Sequence, residues 1–152
     1  MRRQGEIVMS GWKLDYVPSD SDEVLGFLQM CIERRFHRAV QLEFEKLTRI
    51  DHSRIWVETD VGGSPMMMDQ SRASNYCYGK GVRTMGWSAH GATCGGFGPG
   101  VDDETIQKAL AETLEEKVSI FPDAQHYALF ATVSGDPPQM LIWHKGPLKQ
   151  TP

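Results

Sequence analysis

The residues of this chain that could carry out chemistry lie in a glycine-rich segment. Eight of the 15 glycines fall between Gly79 and Gly100, and the same segment contains His90 and Cys94. A thiol beside an imidazole can ionise to a thiolate and attack an electrophile. One interpretation is therefore a small enzyme that uses Cys94 as its nucleophile and His90 as its base, although no signature of a known catalytic family surrounds the cysteine.

Metal and phosphate sites have less support from the spacing of residues. Cys77, His90 and Cys94 are of the types that ligate zinc, with His126 or His144 as a fourth ligand, but there is no C-x-x-C pair of the kind typical of structural zinc. The segment GGFGPG precedes a predicted helix, yet it lacks GxGxxG and a following Lys-Ser/Thr pair, and acidic residues come next. We predict no metal and no cofactor.

The composition is that of an ordinary globular chain. It has 152 residues, of which 40% are hydrophobic and 24% charged, and its net charge of -4 argues against a nucleic-acid surface. Three widely spaced cysteines do not make a disulfide framework, and no apolar run approaches the roughly 18 residues of a membrane span. We expect a cytoplasmic protein with no membrane contact. One domain is expected over residues 9–146, after a leader at 1–8 and before a frayed tail at 147–152.

Hydrophobic periodicity predicts the elements that must position these residues. Alternating patterns predict strands over 12–16, 40–45, 55–61, 127–133 and 140–144, and helical stripes predict helices over about 24–35 and 103–118. Shorter strands at 66–68, 76–78 and 82–89 form a predicted meander. The order β-α-β-β-meander-α-β-β favours an α+β fold with a mostly antiparallel sheet and two helices packed on one face.

The hairpin predicted from 40–45 and 55–61 carries the strongest signal for binding. If its apolar residues face the core, the period of two gathers four carboxylates and a tryptophan on the outer face. Like charges on neighbouring strands repel, and an exposed tryptophan often anchors a protein interface, so a basic protein partner fits this face. A solvated outer face is the alternative. The predicted contacts are Glu43, Glu45, Trp56, Glu58 and Asp60, followed by Trp87 and His90 in the glycine-rich segment.

The order of elements over residues 12–118 resembles small bacterial immunity proteins that neutralise secreted deaminase or nuclease toxins. The resemblance runs from the capped helix SDEVLGFLQMCIERRF through AVQLEFEKL and RIWVETDV to VDDETIQKALAETLEEK. It implies a cytosolic protein that binds a basic toxin and covers its active site, and it transfers no functional residue. Two other functions stay open: the enzyme that uses Cys94 and His90, and a ligand-sensing domain built of two helix-plus-hairpin halves.

Overall fold

One mixed sheet organises the protein, whose structure, a computed structural model, describes residues 10–12, 23–67 and 69–150. The elements within these ranges are β1 (Gly26–Cys31), α1 (Arg34–Thr48), β2 (Ile55–Asp60), α2 (Arg72–Gly79), β3 (Thr84–His90), α3 (Asp103–Ile120), β4 (Gln125–Ser134) and β5 (Gln139–Leu148). The strand order is β2-β1-β3-β4-β5, with the first four strands parallel and β5 antiparallel to β4. The predicted α+β class is confirmed, but the mostly antiparallel sheet is wrong.

Helices cover both faces of this sheet. Side chains of α2 and α3 pack with Phe27, Met85 and Trp87 on one face, and side chains of α1 pack with Leu28 and Met30 on the other. Parallel strands need crossover connections, and here these connections place α1 and α3 on opposite faces. The prediction of two helices on one face is therefore matched only in part, because α2 and α3 share one face while α1 covers the other. No helix in the described ranges is both long enough and apolar enough to cross a membrane.

Strand β1 stands where the sequence predicts a helix over 24–35. All six of its residues, GFLQMC, are buried. A strand covered on both faces has continuous rather than alternating hydrophobicity, so a short apolar run does not distinguish it from a buried helix. The correction matters for function because it moves Cys31 from a helical stripe to the end of a central strand.

Helix α1 stands where the sequence predicts a strand over 40–45. Phe36, Val40 and Phe44 are buried at a spacing of four residues, whereas Leu42 is exposed. The helical period therefore governs the burial, and the alternation from Val40 to Glu45 is incidental. β2 forms over 55–60 as predicted but pairs in parallel with β1. The hairpin predicted from 40–45 and 55–61 is therefore wrong. The chain is also not built of two helix-plus-hairpin halves.

The C-terminal part follows the prediction more closely. α3, β4 and β5 form where the sequence predicts them, with the turn at 135–138, and β3 matches the strand predicted over 82–89. Residues 76–78 belong to α2, and Met66 ends a 3-10 turn, so neither segment is the strand predicted there. The strand predicted over 12–16, apart from Trp12, and the leader at 1–8 lie outside the described residues.

Candidate functional site

The two central strands end where the connections of the sheet diverge. From the carboxyl end of β1 the chain runs through α1 to β2, and from the carboxyl end of β3 it runs through α3 to β4 on the other side. Open sheets of parallel strands bind ligands in the crevice at such a switch point. Cys31 is the last residue of β1, and His90 is the last residue of β3. Both residues therefore lie at this crevice.

Cys31, His90 and Cys94 form a buried group at the switch point, called here the Cys–His–Cys cluster. The two Sγ atoms are 3.9 Å apart, and both lie within 4.8 Å of a ring nitrogen of His90. The three residues are 7%, 2% and 1% exposed. Sequence reasoning paired His90 with Cys94 and missed Cys31. The position of Cys31 at the end of a buried strand is the signal that could have revealed it.

The imidazole of His90 is held from two directions. Its ring stacks on Phe36 of α1, with centroids 4.6 Å apart and planes 22° from parallel. Its Nδ1 lies 2.7 Å from the carbonyl oxygen of Gly91, and because a carbonyl only accepts, this nitrogen is the donor. Its Nε2 is buried with no hydrogen bond of ordinary geometry to a described atom. Nε2 is therefore the nitrogen left to interact with the thiols.

The surroundings drive the pKa values of the two cysteines apart. Burial raises the pKa of Cys31, but the nearby imidazole of His90 and the backbone N–H groups around the sulfur outweigh it and bring that pKa down to about 7. One of these N–H groups is that of Gly62, which lies 3.4 Å from Cys31 Sγ. Burial raises the pKa of Cys94, and the nearby Cys31 raises it further. The pKa of His90 is raised, since the nearby Cys31 and the hydrogen bond to the Gly91 carbonyl outweigh the effect of burial.

A close approach of two backbones brings the cysteine of the glycine-rich segment to β1. A Cβ atom added at Gly96 would lie 2.4 Å from Gly62 Cα, so no side chain fits there. Gly62 in turn donates to Cys31 Sγ. Two residues before Cys94, the N–H of Ala92 donates a hydrogen bond to Asp103 of α3 at 2.9 Å. These two contacts hold the loop after β3, which carries Cys94, beside Cys31.

The cluster is closed to large molecules. The cavity beside it is lined by Cys31, Phe36, His37 and His90, among others, and has room for about one water molecule. A reactant that reaches the Cys31 sulfur through this cavity must be close to water in size.

The residues predicted as one partner-binding face lie on two elements that no hairpin joins. Two of them are on α1 and three are on β2, namely Glu43 and Glu45, then Trp56, Glu58 and Asp60. Glu58 is occupied within the protein, because its Oε1 accepts hydrogen bonds from Gln29 Nε2 at 2.8 Å and from Ser71 Oγ at 2.7 Å. The continuous acidic face expected from the sequence is therefore not formed.

The two second-ranked contacts are inside the protein. Trp87 is 0% exposed, and its Nε1 donates to His126 Nδ1 at 3.0 Å. Its ring stacks on Phe121, with centroids 6.0 Å apart. His90 belongs to the Cys–His–Cys cluster. Neither side chain is offered to a partner at the surface.

An exposed aromatic pair lies beside the edge strand β2. Trp56 of β2 and Tyr76 of α2 have ring centroids 5.6 Å apart and are 39% and 56% exposed. β2 pairs on one side with β1, and no described strand pairs with its other side. Exposed aromatic residues and unpaired strand edges are both features of protein-binding surfaces.

Two thiols and an imidazole are also donor types that zinc accepts. Closed structural zinc sites have four ligands, whereas the cluster offers three donor atoms among the described residues. Cys77, considered with them on the sequence, lies in α2 outside the cluster, and burial raises its pKa to about 11.

Comparison with known proteins assigns no residue a role. The chain matches no model of a protein family, and no curated protein matches it at a significant level.

Proposed function

We propose that this protein is an enzyme of thiol chemistry, with Cys31 as nucleophile and His90 as the group that takes its proton. The observation that supports this most is the meeting of a thiol and an imidazole at the carboxyl ends of the two strands that flank the switch point. This revises the Cys94 and His90 enzyme considered on the sequence, because the thiol with the lowered pKa belongs to Cys31.

Each neighbour of Cys31 has a role in this reaction. His90 accepts the thiol proton at Nε2, while the bond from Nδ1 to the Gly91 carbonyl at 2.7 Å fixes the orientation of the ring. The imidazolium then stabilises the thiolate, to which the N–H of Gly62 also donates. The small cavity sets the size of the electrophile. This arrangement keeps Cys31 as a thiolate near neutral pH, in a site that larger thiol-modifying reagents do not reach.

Ultraviolet titration of the thiolate tests the proposal without requiring a reagent to enter the site. As pH rises, the wild-type protein should gain thiolate absorbance with a midpoint of about 7, since the folded pKa of Cys31 is lowered to that value. Cys31→Ser should lose this transition. Cys77→Ser should keep it, because Cys77 lies outside the cluster and its pKa is about 11. A wild-type protein whose first thiolate appears only above the ordinary pKa of about 8.5 would refute the proposal.

A second candidate function is inhibition of a bacterial toxin by binding, as the resemblance to immunity proteins suggests. The Trp56–Tyr76 pair favours it, because an exposed aromatic pair beside an unpaired strand suits a protein partner. In this proposal the pair anchors a basic toxin domain, and Asp60, exposed on the same strand, contributes charge complementarity.

Affinity measurements separate this second candidate from the first. With a basic toxin domain that binds the wild-type protein as ligand, Trp56→Ala should weaken binding by at least about ten-fold, mainly through faster dissociation. Glu43→Ala is the control, because α1 packs on the opposite face of the sheet from α2. Equal affinities for the wild-type protein and for Trp56→Ala would exclude this surface.

A further inference from the structure

We propose that Cys94 is the resolving partner of Cys31, and that the Cys–His–Cys cluster reduces hydrogen peroxide by cycling between two thiols and a disulfide. This inference rests on the proposed function, because it requires Cys31 to be the reactive thiol. It adds the substrate class, a small hydroperoxide, and gives the second cysteine a role.

The two sulfur atoms are already close enough for a disulfide to form after a small movement. They are 3.9 Å apart, and a disulfide bond is about 2.05 Å long, so the gap to close is about 2 Å. Cys31 is the less mobile partner, because β1 is hydrogen-bonded to a parallel strand on each side. Cys94 lies in the glycine-rich segment, where a side chain at Gly95 or Gly98 would meet no atom within 4 Å. Cys94 is therefore the residue that moves.

The surroundings also set the order in which the two cysteines react. Cys31 adjoins His90 and forms the thiolate, which is the species that attacks a peroxide. Cys94 is 1% exposed, and burial keeps it protonated. A low-pKa thiol that reacts first and a neighbouring thiol that reacts second are what a resolving pair requires.

Besides the cluster itself, the proposed cycle requires only hydrogen peroxide and an external reductant. The Cys31 thiolate attacks one peroxide oxygen, the O–O bond breaks, and the leaving hydroxide takes the proton held by His90 to form water. Cys31 is now a sulfenic acid. The Cys94 sulfur attacks the Cys31 sulfur, the S–S bond forms, and the sulfenic hydroxyl leaves with the Cys94 proton as a second water. A soluble dithiol then attacks the disulfide at the Cys94 sulfur, the one that moves, reduces it to two thiols and is itself oxidised.

The cavity favours hydrogen peroxide over larger hydroperoxides. Its volume is that of about one water molecule, and its lining includes Met30, Phe36 and Val40. Hydrogen peroxide is little larger than water, whereas a tert-butyl group is excluded by these side chains. The rate of oxidation by tert-butyl hydroperoxide should therefore fall well below the rate with hydrogen peroxide.

Mass spectrometry of the full chain after treatment with hydrogen peroxide tests the inference. The reduced wild-type protein should lose two hydrogen atoms and yield a peptide pair linked through Cys31 and Cys94. Cys94→Ser should instead accumulate a sulfenic acid at Cys31, seen as the gain of one oxygen atom in the intact mass. Cys77→Ser should behave as the wild type. With dithiothreitol as reductant, the wild type should consume peroxide continuously, and Cys31→Ser should reduce consumption to the rate without protein.

The other outcomes each overturn a distinct claim. If the Cys31 thiolate is present at neutral pH but no Cys31–Cys94 disulfide forms, the resolving role is refuted and the proposed function stands. If no such thiolate is present, both fail. A protein that purifies with zinc, retained by Cys77→Ser and lost from Cys94→Ser, would overturn the peroxide cycle in favour of a metal site.

Discussion

Replacement of His90 by phenylalanine should remove most of the thiolate that the wild-type protein holds at neutral pH. His90 is the principal group that lowers the pKa of Cys31, and without it burial should raise the pKa from about 7 to at least the ordinary value of about 8.5. At pH 7 this change takes the thiolate fraction from about one half to about one thirtieth or less, a loss of at least about 15-fold. The phenyl ring preserves the stacking of a flat ring against Phe36. The thiolate absorbance and the initial rate of peroxide consumption should fall together.

A second histidine in the same cavity provides the control for this experiment. His37 lines the cavity, but its Nε2 lies 2.6 Å from the backbone carbonyl oxygen of Cys31 and does not act on the thiol. His37→Gln retains a donor for that carbonyl and should leave the midpoint of the Cys31 titration at about 7. If His90→Phe also leaves the midpoint unchanged in a folded protein, His90 is not the group that holds the proton.

The C-terminal part of the fold is predictable from the sequence because its signals are local. The side chain of Asp102 accepts a hydrogen bond from Thr105 N at the beginning of α3, as expected of a helix N-cap. The turn after β4 contains Gly135, with φ of 92°, followed by two prolines, a sequence typical of a reversal between antiparallel strands. Both signals lie within a few residues of the structure that they specify.

The N-terminal part is not predictable in the same way because its strands are buried by partners distant in sequence. β1 is buried on both faces by helices that the local pattern does not reveal, so GFLQMC is equally consistent with a helical stripe. In α1, the segment from Val40 to Phe44 fits two periods, and Phe36 is the further residue that favours the helical one. The strand order also depends on long-range pairing, which no local pattern specifies.

These errors explain why the sequence singles out only two of the three residues of the Cys–His–Cys cluster. His90 and Cys94 are close in sequence and share the conspicuous glycine-rich segment, so composition alone draws attention to them. Cys31 is 63 residues from Cys94 along the chain, and only the parallel pairing of β1 with β3 brings the two thiols together. A cysteine assigned to a helical stripe has no reason to be singled out. Its function depends on the topology of the sheet.

Substitution of Gly96 by alanine should slow disulfide formation by about 100-fold, because a misplacement of about 1 Å can cost that much in a reaction between positioned groups. The new Cβ would lie 2.4 Å from Gly62 Cα and 2.5 Å from its nitrogen, and backbone atoms do not yield as a flexible side chain does. The loop after β3 that carries Gly96 must then move away and take Cys94 from Cys31. Overpacking of this kind should also lower the free energy of unfolding by about 1–3 kcal/mol.

The neighbouring glycine is the matched control. An alanine at Gly95 meets no atom within 4 Å and needs no unusual backbone conformation, so Gly95→Ala should form the disulfide at the wild-type rate. For both variants, the rate of disulfide formation is measured by rapid mixing with hydrogen peroxide and quenching with an alkylating reagent in denaturant. In Gly96→Ala the sulfenic acid at Cys31 should accumulate, because the first step does not involve Cys94. Equal rates of disulfide formation in the two variants would show that the contact between Gly62 and Gly96 does not hold Cys94 in place.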